Sequence, residues 1–213
     1  MAIQNHLFLS KTRQSIGNLT FSSWKNIGVV KKKIEKNGSN TPKQQKQRSA
    51  FMLVTRIVQP LNPILKNSFR PYTSRMTGYN ACLGYNLKNA LTEGPDGFEI
   101  DFSKVLIGRG GKLLSPVNAT FVQELDNNIE IRWVNNSNDI GTANPNDKAI
   151  VVLYNETQGV AHLSHGDVER KDVSTFLSPP ASWNSSDKIH VYLTFVSDDN
   201  SATSIYLSTY NVI

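Results

Sequence analysis

The sequence predicts an α+β protein. A basic N-terminal region, residues 1–92, carries a β-hairpin and two helices, and an all-β sandwich follows over residues 93–213. Three observations carry this reading. Charge divides along the chain: 15 Lys and Arg stand against one acid, Glu35, in residues 1–92, and 8 against 16 acids from Glu93 onward. Apolar spacing is helical across residues 41–91 and changes to a period of two from Phe98. Turn-forming residues then recur about every ten residues, the rhythm of a sandwich.

Residues 19–24 alternate in character, Lys25 and Asn26 follow, and then residues 27–34, which predicts a β-hairpin or a short ribbon turning at Lys25 and Asn26. Lys31, Lys32 and Lys33 stand at its end, and residues 35–40 form a loop marked by Asn37 and Gly38. A helix start follows. Thr41 is a good N-cap, Pro42 suits the first helical position, and Gln44, three residues after the cap, completes a capping box. Ala50, Leu53, Val54, Ile57, Val58 and Leu61 make one apolar stripe. Pro60 and Pro63 end or kink the helix, because neither has an N–H to continue it. Residues 61–69 add a further turn or two.

A second helix is predicted over about residues 74–91, with Met76, Tyr79, Leu83, Leu87, Ala90 and Leu91 on one face. Gly78 and Gly84 weaken it by about 1 kcal/mol each relative to Ala, and each permits a close approach by another element. Cys82, among Ala81, Leu83 and Tyr85, reads as a packed thiol. The two helices pair, and their stripes require a third surface to cover them.

Residues 92–97 read as a loop. Strands are expected over 98–102, 105–107, 112–114, 120–125, 129–134, 148–154, 160–163, 173–177, 188–196 and 204–210. Trp133 shares a face with Ile129 and Ile131 and is expected in the core. Ile189, Val191, Leu193 and Phe195 face one way, with His190, Tyr192, Thr194 and Val196 opposite.

Reactive motifs are sparse. Gly108, Arg109, Gly110 and Gly111 lack a following Lys–Ser/Thr and read as a hairpin turn, not a phosphate cradle. His162 and His165 fall on opposite faces of a strand, and His190 stands alone. Glu99 and Asp101 read as the wet face of a strand, and Asp198 and Asp199 as a polar turn lacking the EF-hand glycine and glutamate. No Gly-x-Ser-x-Gly elbow is present. The expectation is therefore a non-enzymatic protein with no cofactor, no metal and no identified small-molecule substrate.

Two resemblances follow from these segments. Ile129–Glu130–Ile131–Arg132–Trp133, the strand at 150–154 and His190–Val191–Tyr192–Leu193–Thr194–Phe195 give residues 115–213 a resemblance to fibronectin type III and immunoglobulin-like sandwiches. Nearly the whole chain resembles an uncharacterised family of Bacteroidota proteins, domain of unknown function 6266. The stretches that carry this are Ser22–Ser23–Trp24–Lys25–Asn26–Ile27, Thr41–Pro42, Gln59–Pro60–Leu61, Tyr85–Asn86–Leu87–Lys88–Asn89–Ala90, Asp101–Phe102–Ser103–Lys104–Val105–Leu106, Asp147–Lys148–Ala149, Phe195–Val196–Ser197 and Ile205–Tyr206–Leu207. The opening departs from the family pattern, with Asn26 where a glycine is expected after Trp24–Lys25. The resemblance implies length and architecture and brings no catalytic residues.

The charge division points to partners. Trp24, Lys25, Lys31, Lys32, Lys33, Lys36, Lys43, Lys46 and Arg48 are the candidate binding residues, lysines with an aromatic among them. One reading is a structural or assembly protein, its basic region docking onto a protein partner or another copy. The alternative is a polyanion-binding protein, nucleic acid included, with an appended sandwich recognition module. No apolar run reaches the ~20 residues of a spanning helix. No signal-peptide pattern is read, and the single cysteine excludes an intramolecular disulfide. The cytoplasm, or a particle assembled there, is the expected location.

Overall fold

A computed structural model describes residues 2–4, 15–24, 27–33, 40–69, 76–95, 97–110, 113–123, 128–138, 142–199 and 201–212 of the chain. The chain divides into two compact units, Met1–Gln44 and Gln45–Ile213.

The first unit holds a four-stranded antiparallel sheet of β1 (Ala2–Gln4), β2 (Ser15–Ile16), β3 (Leu19–Trp24) and β4 (Ile27–Lys32), in the order β1-β4-β3-β2. The expected hairpin is β3–β4, where Trp24 pairs with Ile27 across two residues. β1 and β2 are two or three residues long, too short to show the alternation by which a strand is recognised in sequence.

The second unit begins with helices. α1 (Pro42–Val58), whose first residues lie in the N-terminal unit, starts as its capping box predicts. Gln44 N donates to Thr41 Oγ1 (3.4 Å), and Thr41 N donates to Gln44 Oε1 (3.3 Å). It stops before Pro60. α2 (Asn62–Ser68) carries Pro63 in its first turn, where a missing N–H costs no helical bond. α3 (Gly78–Asn89) starts later than expected, capped by Thr77, whose hydroxyl accepts from Asn80 N at 3.1 Å. Its buried residues are Gly78, Cys82, Leu83 and Asn86, while Met76 is exposed. A Cβ on Gly78 would lie 2.0 Å from the Leu65 carbonyl oxygen, so glycine permits the close approach of α3 to α2. No such contact occurs at Gly84. Cys82 is packed as expected, and burial pushes its thiol up to about 12.

The predicted loop at 92–97 is instead most of a hairpin, β5 (Leu91–Gly94) paired with β6 (Gly97–Ile100). Gly94 and Gly97 pair across Pro95 and Asp96, so the turn chemistry occupies only the tip.

The strands that follow are β7 (Arg109–Gly110), β8 (Val117–Gln123), β9 (Ile129–Val134), β10 (Lys148–Asn155), β11 (Val160–Leu163), β12 (Val168–Glu169), β13 (Ser174–Leu177), β14 (Lys188–Val196) and β15 (Ala202–Asn211). They form two antiparallel sheets. The larger has the order β11-β10-β14-β15-β7, with β12 also on β10, and the smaller is β13-β9-β8. Between them lies one core: Ile129, Ile131 and Trp133 of β9 with Val151 and Leu153 of β10 and Ile189, Val191, Leu193 and Phe195 of β14. Trp133 is a core residue, as its spacing predicts. Of the glycine-rich stretch read as a hairpin turn, Gly108, Arg109 and Gly110 are not one, and Gly111 lies outside the described residues. Arg109 and Gly110 form an edge strand on β15, and a Cβ on Gly108 would lie 2.3 Å from Thr194 Oγ1. Glycine there serves close approach to β14. Val105, Ile107 and Leu113, read as strand residues, are buried outside any ladder.

The opposite face of the larger sheet is also covered. Val152, Tyr154 and Tyr192 share a second core with Val54, Ile57, Leu65, Cys82 and Leu83 of the helices and with Leu61 between α1 and α2. This is the third surface that the helical stripes require. The α+β class and the sandwich-like part stand, but the expected boundary at 92/93 cuts through this core, and the chain divides between Gln44 and Gln45. Charge changes sign at 93, whereas domain structure follows apolar contact. Recounted by unit, residues 1–44 hold 8 Lys and Arg against one acid, a net +7. Residues 45–213 hold 15 against 16, a net −1.

Candidate functional site

The predicted basic residues do not form one cluster within one unit. Lys31 and Lys32 end β4, paired with Thr20 and Leu19, and Lys33 N donates to Asn18 O at 2.6 Å. All three lysines are exposed. Strand alternation sends Lys31 and Lys32 to opposite sides of the sheet, so the charges surround the strand end and do not pave one face. The backbone of Trp24 closes β3. Lys25 and Lys36 lie outside the described residues. Lys43 is exposed in the first turn of α1. Lys46 and Arg48 are exposed on the same helix but belong to the second unit. Lys46 forms an ion pair with Glu93, and its ammonium sits 5.2 Å from the centre of the Phe98 ring. That lysine is thus engaged within its own unit.

The second unit contains a constellation that sequence reasoning missed. His190, on the helix-facing side of β14, is not alone. Its Nε2 lies 2.8 Å from Glu156 Oε2, its Nδ1 lies 2.8 Å from Thr209 Oγ1, and Phe102 stacks on the imidazole at 3.7 Å. An ionised carboxylate only accepts, so Nε2 carries the proton, and Nδ1 of the neutral ring accepts from the Thr209 hydroxyl. Burial holds the imidazole below its usual value, and Glu156 offsets this only in part. Burial raises the Glu156 carboxyl, but the bonds from His190 and from Lys188 Nζ (3.0 Å) outweigh it and hold the group below the usual range. Carboxylate, imidazole and hydroxyl stand in the order that activates a nucleophile. The His190 side chain, however, is only 3% exposed and lies against Phe102. The ring therefore acts as a sealed tie between the turn after β10 and the end of β15. The residues are 34 and 19 positions apart in sequence, and no local pattern marks them.

Beside Glu156 opens a cavity of about 420 Å³ between α1, β6 and the ends of β10 and β14. Leu53, Ile57, Phe98, Ile100 and Phe102 supply apolar wall, and Arg56, Glu99, Tyr154, Glu156 and Lys188 supply polar groups. Burial pushes the Tyr154 hydroxyl up to about 12, so it stays protonated at neutral pH. A second cavity, of about 550 Å³, lies along α3, where the Arg109 guanidinium sits 4.6 Å from the Tyr85 ring centre.

A buried charge network was also missed. Arg170 and Asp147 have side chains 0% and 1% exposed and are paired at 3.0 Å through Nε and Oδ2. Arg170 also donates to Asn136 Oδ1 (2.6 Å) and Leu114 O (3.1 Å), and its guanidinium lies 4.0 Å from the Phe195 ring centre. Trp133 Nε1 donates to the Arg170 carbonyl at 2.8 Å. These bonds tie the loops around the sandwich to its core. Among the described residues, no group of three or more His, Cys, Asp or Glu is placed to hold a metal ion, and no helix is long and apolar enough to cross a membrane.

The family described as "Family of unknown function (DUF6266)" matches residues 11–208. No curated protein and no solved structure matches the chain.

Proposed function

The chain belongs to the DUF6266 family, whose function is unknown, and from that premise we propose that it is a non-enzymatic assembly or interaction protein whose basic N-terminal unit docks onto a partner. The observation that carries this reading is the exposed Lys31–Lys32–Lys33 strand end in a unit of net charge +7, in a chain whose other unit has a net charge of −1. A small sheet with charge of one sign attracts an anionic surface over a Debye length of about 8–10 Å. The closure of Phe102 over His190 supports architecture over catalysis at the one carboxylate–imidazole–hydroxyl chain described. This reading expects the cytoplasm, or a particle assembled there.

The near-neutral second unit bears on the partner. Counted with its helices, that unit holds 15 Lys and Arg against 16 acids, and Glu93 is paired with Lys46, so the unit of another copy as a whole offers little net negative charge. That favours a second reading, in which the basic unit binds a polyanion such as nucleic acid. The full chain and a Lys31→Gln/Lys32→Gln/Lys33→Gln variant would be compared by sedimentation and by a nucleic-acid shift assay across a salt series. Docking on a protein or another copy predicts a salt-sensitive larger species, free of nucleic acid by ultraviolet absorbance, that the variant weakens. Polyanion binding predicts a shift whose log–log salt slope falls by about 2–3 in the variant. A variant that matches the parent in both assays refutes both readings.

A further inference from the structure

We propose that the Thr209 hydroxyl is a nucleophilic modification site that accepts one acyl group from an activated carboxylic ester. This goes beyond the docking reading and stands independently of it, since one transfer per chain needs no turnover. Phe102 closes over the imidazole of His190, but the other end of the relay is open: His190 is buried, whereas Thr209 is exposed. A donor therefore has to reach only the hydroxyl. The placement depends on a bulge. Thr209 stands opposite His190 in the β14–β15 register, and Tyr206 stands opposite Tyr192. Residues three apart on a regular strand face opposite sides. The register shifts between Val191 and Tyr192, where Leu207 is the extra residue of β15, and this brings Tyr206 and Thr209 to the same side.

The hydrogen bonds assign the roles. Glu156 fixes the proton on Nε2, so Nδ1 offers its lone pair to the Thr209 hydroxyl at 2.8 Å. The Tyr206 hydroxyl donates to Thr209 Oγ1 and lies 3.5 Å from Nδ1. A hydroxyl oxygen has two lone pairs. Tyr206 takes one, and no other described residue bonds to Oγ1, so the second remains for attack. His190 is the general base, Tyr206 the acid, and Glu156 a positioning residue that holds the imidazole. In the step, Oγ1 bonds to the acyl carbon as its proton passes to Nδ1. The ester bond to the leaving oxygen breaks, that oxygen takes the Tyr206 proton, and Nδ1 returns a proton to Tyr206. The products are a Thr209 ester and a free alcohol. A neutral acyl donor fits better than an anionic phosphoryl donor, because Lys188, the cation beside the relay, is already paired with Glu156.

The test is incubation of the full chain with p-nitrophenyl acetate, followed by mass-spectrometric mapping of acetyl groups. Ser208, the adjacent hydroxyl, bonds to the Thr209 carbonyl and not to the imidazole, and serves as the internal standard. Thr209 is expected to be acetylated about a hundredfold faster than Ser208, the low end of general-base assistance. His190→Gln is expected to remove that preference. Tyr206→Phe keeps the ring, which meets Tyr192 edge-on at 5.3 Å, and is expected to slow Thr209 acetylation about tenfold, the effect of one hydrogen bond. Unchanged circular dichroism would verify that each variant folds, and Tyr206→Phe decides if His190→Gln does not fold. The proposal is overturned if Thr209 and Ser208 react equally in the parent, if His190→Gln retains the preference, or if Tyr206→Phe reacts like the parent.

Discussion

Asp147→Ala is expected to be among the most damaging single changes in the second unit. Its carboxylate is 1% exposed and faces an Arg170 side chain that is 0% exposed. Removing it leaves a guanidinium that still bonds Asn136 and Leu114 but has lost its only described carboxylate partner. Burial already pulls the Arg170 group down from its usual value, with Asp147 opposing that pull. An arginine cannot escape by losing its proton. Breaking a buried pair from one side costs about 3–5 kcal/mol, a large part of the roughly 5–15 kcal/mol that holds a domain folded. With a urea slope of about 2–3 kcal/mol per molar, the unfolding midpoint should fall by about 1–2 M. Asp147→Asn, which keeps an oxygen for Arg170 Nε and for Asn144 N, should lose less and isolate the charge. In the Asp147→Ala/Arg170→Met double variant the losses should be less than additive, because no charge is left unpaired. A loss below about 1 kcal/mol for Asp147→Ala would refute the claim that this pair is desolvated.

Trp133→Ala should cost about 3–5 kcal/mol in the same denaturation assay. The ring is 3% exposed, meets Phe195 edge-on at 5.5 Å and donates to the Arg170 carbonyl; a change within error would show the strand misfaced. His190 gives a pH dependence. Its folded value lies below the usual 6.5, so the unfolded chain binds the proton more readily. The stability from the neutral buried ring is complete above about pH 6.5 and is lost as pH falls towards the folded value. His190→Gln should flatten the pH dependence of the urea midpoint between about pH 7 and pH 5; an equal slope in both proteins would place the titration elsewhere.

Much of the local structure was legible before folding. The N-cap of α1, its stop before Pro60, the strands Ile129–Val134 and Lys188–Val196 and the inward face of Trp133 all follow from short-range rules. Capping, proline geometry and period-two alternation act within a few residues and leave their mark on any short window. The misread segments are those where composition is ambiguous. Gly108 suits a turn and a close strand contact equally well, and only the proximity of Thr194 shows which applies. Of the β5–β6 hairpin, β6 overlaps the strand expected at 98–102, whereas β5 is hidden because its four residues show no alternation.

By itself the sequence determined the α+β class, the basic character of the N-terminal end and the alternation that gives β14 two different faces. Tertiary structure decided what each face meets. One face of β14 closes the sandwich core, and the other receives the helices, which moves the unit boundary from 92/93 to 44/45 and leaves the second unit nearly neutral. The same folding brings Arg170 to Asp147 and His190 to Glu156, residues 23 and 34 positions apart. The physical reason is range. Propensity and periodicity belong to neighbouring residues, whereas a buried charge or imidazole is paired by strand register and loop closure, which exist only once the sheets have formed.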